Sequence, residues 1–224
     1  MIVVHHLNDS RSQRVLWLLE ELGLPYEIVR YQRDPHTLLA PASLRTVHPL
    51  GKSPVVVEDG EVLAESGAIV EILADRHGGG RLAPAAGTPE RARYLYWLHY
   101  AEGSAMPPLL LRLVFARVAD AKMPFFARPI ARGIAATVRR TFIDPQIASH
   151  LDFMEGELAQ REWFAGDAFS AADIQMSFPL EAASVRAGLD AGRPRLWAWL
   201  QRIHARPAYR RALERGGPYS YARD

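Results

Sequence analysis

Apolar and polar positions divide this chain into two halves of different rhythm. In the first half the apolar runs are short and closely spaced. Ile2-Val3-Val4 reads as a buried strand, and Asn8-Asp9-Ser10 supplies a turn and a helix cap. Val15, Leu16, Leu18, Leu19 and Leu22 then recur at helical spacing until Gly23, with Pro25 beyond it, the signature of a helix and its stop. Tyr26 to Arg30 reads as a second strand. Val55-Val56-Val57 and Val62-Leu63 flank Glu58-Asp59-Gly60, the pattern of a β-hairpin. Glu65-Ser66-Gly67 follows and opens a helix whose apolar positions are Ile69, Val70, Ile72 and Leu73.

Beyond residue 77 the strand pattern vanishes. Gly78-Gly79-Gly80 and the stretch from Pro84 to Pro89 form the richest Gly/Pro cluster, which places a domain boundary there. Residues 1–82 form one expected domain and residues 90–224 an all-α second one. Helical spacing runs from Glu90 to Leu113, with a kink or break expected at Pro107-Pro108, and again over Thr141–Leu158 and within Pro194–Leu213. Phe169-Ser170-Ala171-Ala172-Asp173 reads as a capping box, which gives Ser170 and Asp173 a structural role. Residues 116–142 mix Arg117, Arg128, Arg132, Arg139 and Arg140 with Phe125, Phe126, Ile130 and Ile134. Such a basic amphipathic stretch can touch lipid, but it is read here as a helix–helix connection with a solvated basic face.

Composition narrows the class without naming it. The 224 residues are 49% hydrophobic and 23% charged, ordinary for globular chains. A formal charge of +2 gives no electrostatic case for nucleic acid, and no zinc-ligand spacing is present. No apolar run is long enough to span a membrane, and no secretory signal precedes the first strand, so stable membrane association is not expected. The chain has no cysteine, which suits a reducing cytoplasm, the expected location.

The chemistry concentrates in residues 48–69, HPLGKSPVVVEDGEVLAESGAI. A proline at the first position of a strand cannot donate to the ladder and often marks a tight or cis turn. Ahead of Pro54, the Ser53 backbone is therefore available to an extended, peptide-like ligand. Ser66, at a helix N-terminus, offers a hydroxyl and free N–H groups to a carboxylate, while Glu65 beside it can bind an ammonium. Together they suit a small peptide with a free amine and a free carboxylate.

This ordered set, H-P-L-G-K-S-P, a hairpin, then L-A-E-S-G-A-I, resembles the glutathione transferase family, and L-N-D-S-R-S-Q-R at residues 7–14 is similar to its bacterial and fungal serine-type members. The resemblance implies a thioredoxin-like α/β N-terminal domain, in β-α-β-α-β-β-α order, followed by an all-α helical-bundle C-terminal domain. It implies a dimeric cytosolic enzyme that needs no cofactor or metal and takes glutathione as co-substrate for attack on a hydrophobic electrophile. By the same likeness Ser10 is the catalytic hydroxyl, with Arg14 the arginine usual four residues on. Lys52 would pair with the glycine carboxylate, Ser53 ahead of Pro54 with the cysteinyl backbone, and Glu65 and Ser66 with the γ-glutamyl end.

A hydroxyl suits this role because a thiol with a pKa of about 8.5 is mostly protonated at neutral pH, and donating a hydrogen bond to sulfur favours the thiolate. Arg11 and Arg14 near the helix N-terminus would add to that effect. Branches of the family that use a strand tyrosine or a cysteine are disfavoured, since the first strand ends in His5-His6-Leu7 and cysteine is absent. Ser12, Asn8 and His6 are the rivals of Ser10. Met106 and Leu110 are the candidate walls of the second-substrate pocket. Hydroperoxide reduction, glutathione-dependent isomerisation or ether cleavage, and non-catalytic glutathione binding are the alternative functions, because a fold does not fix a function.

Overall fold

The run at residues 2–7, Ile2–Leu7, forms β1 near the centre of a four-stranded sheet in a computed structural model that describes residues 1–35, 37 and 39–222. The order is β2-β1-β3-β4, with β2 at Tyr26–Tyr31, β3 at Val55–Glu58 and β4 at Glu61–Ala64. β1 runs parallel to β2, with Val4 opposite Ile28, and antiparallel to β3, with Val4 opposite Val56. Val4, Val55 and Val56 are fully buried, as central strands covered on both faces require. The β3–β4 hairpin turns through Asp59 and Gly60, whose φ values of 48° and 91° are both positive. That is the backbone an Asp-Gly pair adopts in a two-residue hairpin whose twist matches its strands.

Helix α1, Ser12–Leu22, ends where Gly23 takes a left-handed φ of 70° and its N–H returns to the Leu19 carbonyl. No β-carbon obstructs that conformation in glycine. Between β2 and β3 the expected helix is replaced, among the described residues, by one short 3₁₀ turn, Ala42–Thr46. Pro35, Pro41 and Pro49 break this stretch into pieces too short for a regular helix. Helix α2, Ser66–His77, completes the sheet-bearing half.

The helices that follow are α3 (Pro89–Tyr100), α4 (Met106–Asp120), α5 (Arg128–Val138), α6 (Asp144–Gln160), α7 (Ala171–Arg186), α8 (Pro194–His204) and α9 (Pro207–Gly216). One apolar cluster joins the halves. Trp17 of α1 packs edge-on against Tyr209 of α9 at 5.1 Å and against Phe169 at 5.6 Å. Asp173, fully buried in α7, accepts from the backbone N–H groups of Phe164 and Ser170, the Ser170 hydroxyl and Trp199 Nε1. The structural role read from its capping pattern is thus extended, since the same carboxylate also ties α8 to α7.

The break expected at Pro107-Pro108 lies just before them. Residues Ala101–Ala105 form a π-helical turn, and the Met106 N–H reaches the Ala101 carbonyl. Two successive prolines cannot donate to the carbonyls four residues back, so the turn ahead of them widens. A second π turn, Arg139–Ile143, precedes Pro145 in the same way. Segment 116–142 is more regular than a connection, because it contains the end of α4 and the whole of α5. Its solvent side carries apolar groups as well as basic ones: Phe125, Phe126, Ile130 and Ile134 are all exposed. Among the described residues, no helix is long and apolar enough to cross a membrane.

Candidate functional site

A cleft of about 250 Å3 opens between the loop entering β3, the start of α2, Arg11 just ahead of α1, and Glu102 of the first π turn. It brings together Lys52, Ser53, Pro54, Glu65 and Ser66, five of the residues singled out in the sequence. The Ser53–Pro54 peptide is cis, and the Ser53 hydroxyl donates to the His5 carbonyl at 2.9 Å. Pairing of β3 with β1 begins one residue past the proline, at Val55 opposite His5, so Ser53 lies outside the ladder with its backbone at the cleft. Lys52 is exposed on the rim.

Glu65 has a φ of 69° and a ψ of 117°, a conformation that costs a non-glycine residue of order 1–3 kcal/mol. The chain accepts it where β4 turns sharply into α2, and the Glu65 carbonyl takes the first helical N–H, from Ile69, at 2.9 Å. The carboxylate is left exposed at the cleft. Ser66 is buried, and its hydroxyl accepts from Arg14 Nη1 and Gln175 Nε2, each at 3.3 Å. With two donors already supplied, the Ser66 proton remains available to an anion at the helix N-terminus.

The first turn of α1 is arranged differently from its sequence reading. Ser10 is 4% exposed and does not border the cleft. Its hydroxyl donates to the Leu7 carbonyl at 2.8 Å, lies 2.8 Å from the Ser12 hydroxyl and accepts from the Ser12 N–H. Ser12 in turn sits 2.8 Å from Nδ1 of His6. Of the rivals, Ser12 and His6 are buried within this network, and Asn8 Oδ1 accepts from the Arg33 N–H.

Burial, followed by the nearby Arg30 cation, lowers the His6 pKa to about 4. A histidine held neutral in the native state resists protonation that the unfolded chain accepts near pH 6.5. Stability is therefore present above pH 6.5 and is lost as pH falls through 6.5 towards 4, by up to about 3 kcal/mol. Replacing His6 with Asn, which keeps an acceptor for Ser12, should flatten this acid limb in urea midpoints measured between pH 7 and 4.5.

Arg11, by contrast, does border the cleft. Its Nε donates to both oxygens of Glu102, at 2.9 and 2.8 Å, and its guanidinium lies 5.2 Å from the Phe178 ring centre. Arg14, only 1% exposed, donates to Glu102 Oε1 at 2.7 Å. Burial alone would raise the Glu102 pKa, but Arg14 and then Arg11 hold it below the usual range, so it is an anion between two cations. The sequence offered little warning of Glu102. Its place on the cleft depends on the π turn, for which Gly103 and the two prolines are the only local signs. Among the described residues, no cluster of three or more His, Asp or Glu side chains could hold a metal ion.

Residues 10–76 match the glutathione S-transferase N-terminal domain, and residues 133–202 the C-terminal domain of the same family. The chain is 37% identical to glutathione S-transferase 3 of Schizosaccharomyces pombe, over 96% of its own length and 88% of that protein's. It belongs to the glutathione S-transferase family. Glutathione S-transferase 1 of Saccharomyces cerevisiae is 35% identical over 96% of this chain and 95% of the yeast protein. The crystal structure of a glutathione S-transferase from Actinobacillus pleuropneumoniae superimposes with a TM-score of 0.80 at 31% identity, covering 100% of this chain and 97% of that one. A sphingomonad glutathione S-transferase complexed with glutathione superimposes at 0.72 and 28% identity, covering 96% and 98%.

Within this glutathione S-transferase fold, neither Met106 nor Leu110 reaches the cleft. Met106 is buried in the core between the halves, and Leu110 is 52% exposed on α4. A larger cleft of about 400 Å3 lies between residues 80–84 and 165–170. It includes none of the residues that the sequence reading brought forward for catalysis or ligand binding.

Proposed function

We propose that this family member binds glutathione in the cleft at the cis-proline and transfers its thiolate to a hydrophobic electrophile. The observation that carries the reading is the placement of Glu65, Ser66, Ser53 and Lys52 around one cleft with Arg11. A γ-glutamyl tripeptide has an ammonium and a carboxylate at one end and a second carboxylate at the other. Glu65 and the start of α2 meet the first pair, Lys52 meets the second carboxylate, and the Ser53 backbone meets the middle. The thiol then points to the first turn of α1. Ser10→Ala in a turnover assay tests whether the Ser10 hydroxyl, bonded to the Leu7 carbonyl in the free protein, takes any part.

Transfer begins with loss of the thiol proton to solvent. The sulfur lone pair then forms the new bond, and the leaving group departs with the electrons of the bond that breaks. Hydroperoxide reduction would use the same thiolate. Purified protein tested with glutathione against halogenated aromatics, organic hydroperoxides and β-aryl ethers should turn over at least one class. Glutathione binding without turnover of any would favour a binding module instead.

The reading also includes a homodimer working in the cytoplasm without a cofactor. Exposed apolar residues on α4 (Leu110, Leu111, Val114 and Val118) recur at helical spacing along its solvent side, a stripe that supports cover by a second copy. Light scattering should give about 50 kDa, twice the 25.0 kDa of one chain, and a mass of one chain at micromolar concentration would remove the dimer from the reading.

A further inference from the structure

We propose that Arg11 is the catalytic residue that stabilises the thiolate of bound glutathione, a role the sequence pattern points to Ser10 for. The proposal rests on the glutathione reading above and deepens it. Three observations carry it. Arg11 borders the cleft, whereas the Ser10 hydroxyl is buried and engaged by Leu7 and Ser12. The Arg11 side chain is 35% exposed and bonded to Glu102 through Nε alone, so its two terminal nitrogens have no protein partner among the described residues. The side chain is also held on a further side by the Phe178 ring, and the Glu102 carboxylate it bonds is itself anchored to the buried Arg14.

Two guanidinium groups share one carboxylate here, which leaves the cluster positive at the cleft. A fixed cation beside sulfur favours the charged form of the thiol and lowers its pKa. Arginine keeps its own proton throughout, so it acts as a stabiliser and not as a base. The thiol proton passes to solvent, and the sulfur lone pair is left to attack. The prolines at 107 and 108 are part of the device, since the π turn they follow brings Glu102 to the cleft.

The test follows thiolate absorbance of bound glutathione against pH in wild-type protein, Arg11→Gln, Arg11→Lys and Ser10→Ala, with glutathione affinity measured by calorimetry on the same samples. Arg11 is partly exposed, so its replacement should not prevent folding. Arg11→Gln should raise the thiol pKa by at least one unit, a tenfold smaller thiolate share at neutral pH, and lower kcat in step while affinity stays within threefold. Arg11→Lys, which keeps the charge but not the fork, should fall between the two. An Arg11→Gln protein that titrates like wild type would overturn the assignment. So would a more than tenfold loss of affinity at unchanged pKa, which would make Arg11 a carboxylate grip, or a Ser10→Ala shift as large as that of Arg11→Gln. Failure of wild-type protein to bind glutathione would overturn the underlying glutathione reading as well, and calorimetry separates that outcome from the others.

Discussion

Replacing Asp173 with Ala should lower folding stability by about 4 kcal/mol, the largest effect expected of any single side chain outside the cleft. The carboxylate is fully buried and accepts four hydrogen bonds, two from backbone N–H groups, one from a hydroxyl and one from an indole. Each donor stranded without a partner costs about 1–3 kcal/mol, and local rearrangement recovers part of the sum. A urea transition followed by tryptophan fluorescence reads the loss directly, because Trp199 is one of the four donors. Asp173→Asn keeps the oxygen that serves Phe164 and Trp199 but turns an amide towards the Ser170 N–H, so an intermediate loss is expected.

The pH behaviour of the two Asp173 variants carries a further signature. Burial, outweighing four hydrogen bonds, raises the Asp173 pKa to about 6. A carboxyl group with a raised native pKa takes up its proton more readily when folded, so this site adds stability as pH falls from 6 towards 3.8. That is opposite in sign to the His6 contribution. Asp173→Asn should remove the gain and leave the acid loss due to His6 more steeply exposed.

At the cleft, Glu65→Ala should weaken glutathione binding about 30-fold, equivalent to about 2 kcal/mol, the loss expected when a charge-assisted hydrogen bond to the ligand ammonium is removed. Folding should suffer little, since the carboxylate is exposed and the strained backbone at this position is unchanged by the substitution to Ala. Calorimetry on folded Glu65→Ala protein with unaltered affinity would remove the γ-glutamyl end from the place proposed for it. Lys52→Ala, on the solvated rim, should cost less.

The parts of this molecule that local pattern determines could be read from the sequence. β1, α1 with its Gly23 stop, the Asp59-Gly60 hairpin and the start of α2 at Ser66 each depend on neighbours a few residues away. The cleft residues of the 52–66 segment came with them, because one turn and one helix start fix their relative positions. What stayed hidden depends on contacts across the chain. The inward Ser10 hydroxyl is set by the Leu7 carbonyl and by a Ser12–His6 pair. The depth of Arg14 follows from Glu102, 88 residues away, and from Ser66. Glu102 reaches the cleft from a π turn that the helical spacing alone did not announce.

The central claim is that this cleft binds glutathione and charges its sulfur. The most direct measurement is an ultraviolet titration of the thiolate in wild-type protein saturated with glutathione. The account predicts an ionisation midpoint at least one unit below that of free glutathione under the same conditions, with thiolate already present at neutral pH. A bound thiol that ionises at the same pH as the free one would contradict it.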